Sequence, residues 1–149
     1  MKLFFPGSFD PFTIGHADLV ERALNMGCEV VIAVGINEEK KPLFSTEQRL
    51  EAIRNYYKGF SRVSVIEYKG LTVDAVRETG CDAILRGIRS VTDYDSERNM
   101  ADINRSIDGV ETVLLVSSPA VQHVSSSLVR ELLSFGRNAD LLMIETFRK

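Results

Sequence analysis

Little in this chain of 149 residues would staple it, charge it strongly or anchor it. It has two cysteines, Cys28 and Cys81, in no metal-ligand spacing and each beside an apolar run. A disulfide framework or a cysteine-bound metal is therefore not expected. Both read as reduced residues in or near the core of a cytoplasmic protein. No apolar stretch approaches the roughly 20 residues that cross a bilayer. Gly7 and Asp10 interrupt the start before a signal-peptide core can form. Excess positive charge is missing as well: 18 Lys and Arg stand against 21 Asp and Glu, for a net charge of −3. That balance excludes a broad basic face and argues against nucleic acid as the main partner, while leaving room for a small basic pocket. No linker, repeat or low-complexity segment divides the sequence, so one domain over residues 1–149 is expected.

What is present is a regular alternation. Apolar residues make up 44% of the chain and charged residues 26%, enough for a full core without staples. Residues 2–5 form a short strand pattern ended by Pro6-Gly7, and residues 14–26 carry Leu19, Val20, Ala23 and Leu24 at helical spacing up to Gly27. Residues 29–36 are apolar on both faces, as in a strand covered on both sides. Ser45 and Gln48 have the form of a capping box opening a second helix. A strand over 63–68, a helix over 71–78, a short strand 83–85 ending at Arg86-Gly87, a polar helix over 93–107, a strand over 110–116 and a helix over 125–135 complete the series. The order predicts an α/β fold, a single Rossmann-like domain with a five-stranded parallel sheet flanked by helices. In such sheets ligands lie beyond the carboxyl ends of the strands, where the unusual residues of this chain cluster.

The first cluster is Pro6-Gly7-Ser8-Phe9-Asp10-Pro11, followed by Thr13-Ile14-Gly15-His16. Glycines let a backbone approach a ligand closely, and His16 falls in a first helical turn, where free N–H groups and the dipole favour phosphate. Lys40-Lys41-Pro42-Leu43-Phe44 follows the second strand. Arg86-Gly87-Ile88-Arg89, then Asp93, follows the fourth, and two arginines at the end of a buried strand are costly unless anions bind there. Asp93 reads as the cap of the next helix. Glu97 and Asn104 share a face of that helix, being seven residues apart. His123-Val124-Ser125-Ser126-Ser127 opens the last helix, and three serines with free N–H groups suit an anion cradle.

These blocks, in this order, resemble the nucleotidyltransferase superfamily defined by a Thr/His-x-Gly-His motif, and within it the bacterial phosphopantetheine adenylyltransferase family. The resemblance covers residues 1–135. It implies His16 as the catalytic residue. It implies an ATP site of Ser8, Phe9, His16, Gly87, Ile88, Arg89, Glu97, Val121, Gln122, His123, Val124, Ser125, Ser126 and Ser127. For the 4′-phosphopantetheine acceptor it implies Ser8, Lys40, Thr72, Arg86, Asn104 and Glu131. Magnesium held mainly by the ATP phosphates, a homohexamer and feedback by coenzyme A are further expectations of the same kind. Residues 136–149 depart from the family pattern, lacking its Pro-containing stretch before a final helix.

The reaction so implied is adenylyl transfer from ATP to the acceptor phosphate, giving dephospho-coenzyme A and pyrophosphate. An acceptor already anionic needs no strong base, which suits a chain without a Ser-His-Asp or Cys-His arrangement in motif context. Catalysis would rest on alignment and on charge stabilisation at phosphorus. Two alternatives stand beside it: a sister nucleotidyltransferase with another phosphate acceptor, such as glycerol phosphate or nicotinamide mononucleotide, and a non-catalytic nucleotide-binding module.

Overall fold

The computed structural model describes residues 1–149. Five strands alternate with five helices: β1 Lys2–Gly7, α1 Ile14–Asn25, β2 Glu29–Gly35, α2 Thr46–Tyr56, β3 Val63–Tyr68, α3 Thr72–Glu78, β4 Ala83–Ile88, α4 Val91–Asp108, β5 Glu111–Val116 and α5 Ser126–Ser134. All strand pairs are parallel and the sheet order is β3-β2-β1-β4-β5. Successive side chains of a strand point to opposite faces, and the core divides accordingly. Leu3, Phe5, Val30, Ile32, Val34 and Leu85 pack with α1, α2 and Val129 of α5 on one face. Phe4, Val31, Ala33 and Ile84 pack with Val73 and Val76 of α3 on the other.

The winding of the sheet reverses between β1 and β4. Those strands pair only at Leu3↔Ala83 and Phe4↔Ile84, then separate, while β4 stays paired with β5 as far as Ile88↔Val116. The gap above Ile84 is the crevice that this topology offers a ligand. It also explains why β1 continues through Pro6-Gly7 instead of ending there. The Pro6 carbonyl points toward β4, where it accepts Arg86 Nη1 at 2.8 Å. At that level β1 and β4 no longer pair, so the missing proline N–H breaks no ladder bond.

Beyond β1, two boundaries differ from the sequence expectation, and the tail adds structure of its own, each for an identifiable reason. Strand β4 runs past Leu85 through Arg86 and Gly87 because β5 pairs with it there. Helix α4 begins earlier, capped by Ser90, whose Oγ accepts the Asp93 N–H at 3.2 Å. Asp93 is thus inside the helix, and its carboxylate takes the backbone N–H and Nε of Arg89 at 3.0 and 3.1 Å. The tail forms two short 3-10 turns, Asp140–Leu142 and Glu145–Phe147. It buries Ala139, Met143, Ile144 and Phe147 in the main core. Thr13 bridges to Met143, Ile144 N–H donates to the Phe12 carbonyl, and the Phe147 ring meets Phe44 edge-on at 5.0 Å.

Candidate active site

Two clefts meet over the β1–β4 gap. One, about 460 Å³, lies on the α4 side of the sheet and reaches from Ser8 and Arg86 to Thr72, Asn104 and Thr112. The other, about 320 Å³, lies over the N-termini of α1 and α5 and is lined by His16, Arg89, Ser125, Ser126 and Ser127 among others. Pro6, Gly7, Ser8, Arg86 and Glu97 line both. A ligand in each cleft would therefore touch the other at the end of β1.

His16 is the third residue of α1, and the helix cap sets its ring. Thr13 caps α1 by accepting the His16 N–H on Oγ1 at 3.3 Å, and His16 Nδ1 accepts the Thr13 N–H at 2.9 Å. With Nδ1 an acceptor, Nε2 carries the proton of the neutral ring. Phe5, Phe9 and Phe12 surround the ring, with centroids 6.1, 5.0 and 5.1 Å away. Burial, then the charges of Arg86 and Arg89, push the His16 pKa down to about 3. His16 is therefore a neutral hydrogen-bond donor at physiological pH. Phe9 supports this with a left-handed φ of 50°, uncommon for any residue but glycine. Its ring packs into the core against His16, and the residue also lines the α1 cleft.

Arg86 is held from two sides. Its Nε and Nη2 donate to the two oxygens of Glu97 at 2.9 and 2.7 Å, and Nη1 to the Pro6 carbonyl. Glu97, expected at the ATP site, is thus the carboxylate that orients Arg86 where the clefts join. Arg89 is steered by Asp93 and donates through Nη1 to the Val124 carbonyl at 3.2 Å. Gly87 makes room for α1: a Cβ there would lie 2.5 Å from Leu19 Cδ1.

The serine turn works differently from a cradle of three free hydroxyls. Ser125 Oγ caps α5 by accepting the Leu128 N–H, Ser126 Oγ donates to the Pro11 carbonyl, and Ser127 Oγ accepts Arg130 Nη2. The donors left for an anion are the hydroxyl protons of Ser125 and Ser127, which only accept in these bonds, and the Ser126 and Ser127 N–H groups, which have no intrahelical partner. Arg130 closes the Ser125-Ser126-Ser127-Leu128-Val129-Arg130 block of the sequence, which resembles the family's Ser-Ser-Ser/Thr-x-x-Arg/Lys motif, although it is not among the expected site residues. It reaches across to the Asp10 carbonyl at 2.9 Å and lines the α1 cleft. Its signal was its position one helical turn after Ser126.

The remaining expected residues fall into three groups. Thr72 and the buried Asn104 line the α4 cleft, where Thr72 Oγ1 lies 3.1 Å from Tyr68 Oη. Val121 and Val124 line the α1 cleft, and His123 and Gln122 line a shallow hollow beside it, where Gln122 Nε2 donates to the Arg89 carbonyl. Lys40 is not in either main cleft. It lines a third cavity of about 420 Å³ that shares Ser8 with both and also holds Lys41, Arg49 and Arg130. Ile88 pairs with Val116 inside the sheet, and Glu131 is exposed on α5. Neither lines any of these cavities.

Paired clefts at the switch point of a parallel sheet, floored by a helix-capping Thr-x-Gly-His, define a nucleotidyltransferase. The cytidylyltransferase-like family model matches residues 4–132. The phosphopantetheine adenylyltransferase of Porphyromonas gingivalis is 54% identical over 143 residues, 96% of this chain and 94% of that one. Those of Bacteroides thetaiotaomicron and Flavobacterium psychrophilum are 48% and 41% identical over 92% and 99% of this chain, and 91% and 97% of their own. The chain belongs to the phosphopantetheine adenylyltransferase family. Among solved structures, a bifunctional NMN adenylyltransferase/ADP ribose pyrophosphatase of Francisella tularensis shares the fold with a TM-score of 0.70 at 16% identity, over 95% of this chain and 44% of that one.

Proposed function

We propose that the protein transfers the adenylyl group of ATP to 4′-phosphopantetheine, releasing pyrophosphate and forming dephospho-coenzyme A. The observation that carries the reading is the junction of the two clefts, where Ser8 and Arg86 face both sides within reach of a neutral His16. The α4 cleft takes the pantetheine arm, with its phosphate toward Ser8 and Arg86. The α1 cleft takes ATP, with its phosphates toward His16, Arg89 and the first turn of α5.

An oxygen of the acceptor phosphate attacks the α-phosphorus. The new P–O bond forms as the bond to the β-phosphate oxygen breaks, and pyrophosphate carries that electron pair away. The attacking oxygen is already anionic, so no base is needed. Negative charge grows on the α-phosphate oxygens, where His16 Nε2–H donates, and on the leaving pyrophosphate, where Arg89 and the α5 N–H groups lie.

Magnesium enters this reading with the nucleotide and supplies further charge neutralisation. No three acidic, histidine or cysteine side chains converge on one point. Of the acids lining the clefts, Asp93 and Glu97 are turned onto Arg89 and Arg86, and Asp10 onto the Leu43 and Phe44 N–H groups. These donors suit a metal held by triphosphate oxygens and water.

Assembly as a homohexamer in the cytoplasm and feedback by coenzyme A belong to the same reading. No helix is long and apolar enough to cross a membrane. Met100, Ile103 and Ile107 expose apolar surface along α4 that an assembly would cover.

Pyrophosphate release with ATP and each of phosphopantetheine, glycerol phosphate and nicotinamide mononucleotide tests the function. Release with phosphopantetheine alone is the expected result. Release with another acceptor instead would move the protein to a sister activity, and none with any acceptor would leave a binding module.

A further inference from the structure

Of 18 cationic and 21 acidic side chains, one of each is buried, Arg49 at 4% and Asp10 at 6% exposure. Buried charge is expensive unless hydrogen bonds and an opposite charge offset it. Both residues are offset by the same two backbone segments. The Asp10 carboxylate accepts the Leu43 and Phe44 N–H groups, each at 2.8 Å. Arg49, on α2, donates through Nη1 to the Ser8 carbonyl at 2.6 Å and through Nε to the Phe44 carbonyl at 3.1 Å. The Ser8–Asp10 loop is therefore tied to residues 43–44 twice, once from each side.

Phe9 and Phe44 also pack against neighbouring rings and Arg130 holds the Asp10 carbonyl, but no other hydrogen bond joins the two segments to each other. Residues 36–45 contain no helix or strand, and Lys40 and Lys41 are exposed on that stretch. Ser8 lies at the junction of the clefts, whereas Lys40 sits in the third cavity, lined also by Asp10 and Arg49. What joins loop 8–10 to residues 43–44 therefore constrains the distance between Ser8 and Lys40.

We infer that Asp10 and Arg49 are positioning residues, a staple that holds Lys40 against Ser8 so that both serve one acceptor phosphate. The inference rests on the proposed acceptor. Arg49 does not touch the phosphate; it acts through the Ser8 carbonyl and the Phe44 carbonyl. Its planar fork reaches Ser8, Phe44 and Thr46 at once, which a lysine ammonium on a single stem cannot reproduce. A shift of about 1 Å in a binding group can cost about 10²-fold in rate. Loosening the staple should therefore act on the acceptor and leave ATP, which enters by the α1 cleft, nearly untouched.

The test is a double-mutant cycle between the staple and Lys40, using Arg49→Lys and, in case that variant does not fold, Asp10→Asn. Steady-state rates of pyrophosphate release are measured against each substrate. The expected result is a fall of about 10- to 100-fold in kcat/KM for phosphopantetheine, with KM for ATP changed less than about twofold. In a Lys40→Ala background the same substitution should cost much less, because the group it positions is gone. Equal losses toward both substrates, or losses that multiply with Lys40→Ala, would overturn the staple and leave Arg49 a residue of general stability. Wild-type protein silent with phosphopantetheine would instead overturn the acceptor itself, and the staple with it.

Discussion

The backbone N–H of Thr13 donates to His16 Nδ1 at 2.9 Å, so the neutral imidazole has its one proton on Nε2. A helix cap thereby fixes the tautomer of the residue that would meet the α-phosphate. A preset donor costs no reorganisation during reaction and strengthens as charge develops. His16→Ala should lower kcat by about 10²–10³-fold while ATP affinity changes far less. Rapid-quench turnover and equilibrium titration with ATP separate the two. Near-normal turnover, or a nucleotide covalently attached to His16 when acceptor is withheld, would contradict the assignment.

The same ring makes stability depend on pH. Its folded pKa, about 3, lies below the ordinary 6.5 because of burial and the arginines Arg86 and Arg89. Between those values the unfolded chain binds a proton that the folded one refuses, so stability is full above pH 6.5 and falls as pH drops toward 3. Denaturant titrations of wild type and His16→Gln at pH 7.5 and 4.5 should show the larger acid loss in wild type. A loss identical in both would place the acid sensitivity elsewhere.

Arg86 is expected to serve the acceptor more than ATP. Glu97 already occupies two of its donors, so Arg86→Ala removes one charge from the cleft and leaves a carboxylate facing an anionic substrate. A charge-assisted hydrogen bond is worth about 1.5–3 kcal/mol, so KM for phosphopantetheine should rise by about 10- to 100-fold. Adding Glu97→Gln should recover stability and part of that rise, because the stranded negative charge is gone. An equal effect on KM for ATP would show that Arg86 is not divided between the substrates in this way.

Much of the architecture was legible because it follows from short-range rules. Five apolar strands with intervening amphipathic helices define the layers, and the Ser45–Gln48 capping box is present as its spacing required, with contacts of 3.1 and 2.8 Å. His16 and the serine turn were found for the same reason, since each opens a helix. What escaped depends on pairing across the chain. Arg49 reads as an ordinary surface arginine on α2 until Ser8, 41 positions away, takes its Nη1. The length of β4 is set by β5, and Asp93 lost the cap to Ser90 because a serine three residues earlier completes the turn. Lys40 and Glu131 carried their expected places by resemblance alone, and in this chain they stand apart from the two main clefts.

Tyr57 should be more useful to the fold as phenylalanine. Its hydroxyl is buried without a hydrogen-bond partner, and burial drives its pKa upward. Its ring still meets Phe12 and Phe60 edge-on, at 6.0 and 5.3 Å. An unsatisfied buried hydroxyl costs about 1–3 kcal/mol, so Tyr57→Phe should raise the midpoint of thermal unfolding with turnover unchanged. A lower midpoint would mean that the hydroxyl has a partner after all.

The tail should prove to be core. Phe147 is 7% exposed and belongs to the main cluster. Beside it, Thr146 Oγ1 donates to the Ala52 carbonyl of α2 at 2.7 Å. Removing a buried aromatic of this kind typically costs about 3–5 kcal/mol through lost transfer energy and the cavity left behind. Phe147→Ala should therefore lower stability by about that amount, and deleting Asn138–Lys149, which removes Ala139, Met143 and Ile144 as well, should cost more than the single substitution. The tail backs the site through Phe12, Thr13 and Phe44 and supplies no side chain to the four cavities. Turnover per folded molecule in Phe147→Ala, measured well below its unfolding midpoint, should consequently stay within about threefold of wild type, since a remote loss of packing raises unfolding more than it alters bound geometry. A variant with undiminished stability and abolished turnover would show instead that the tail completes the active site.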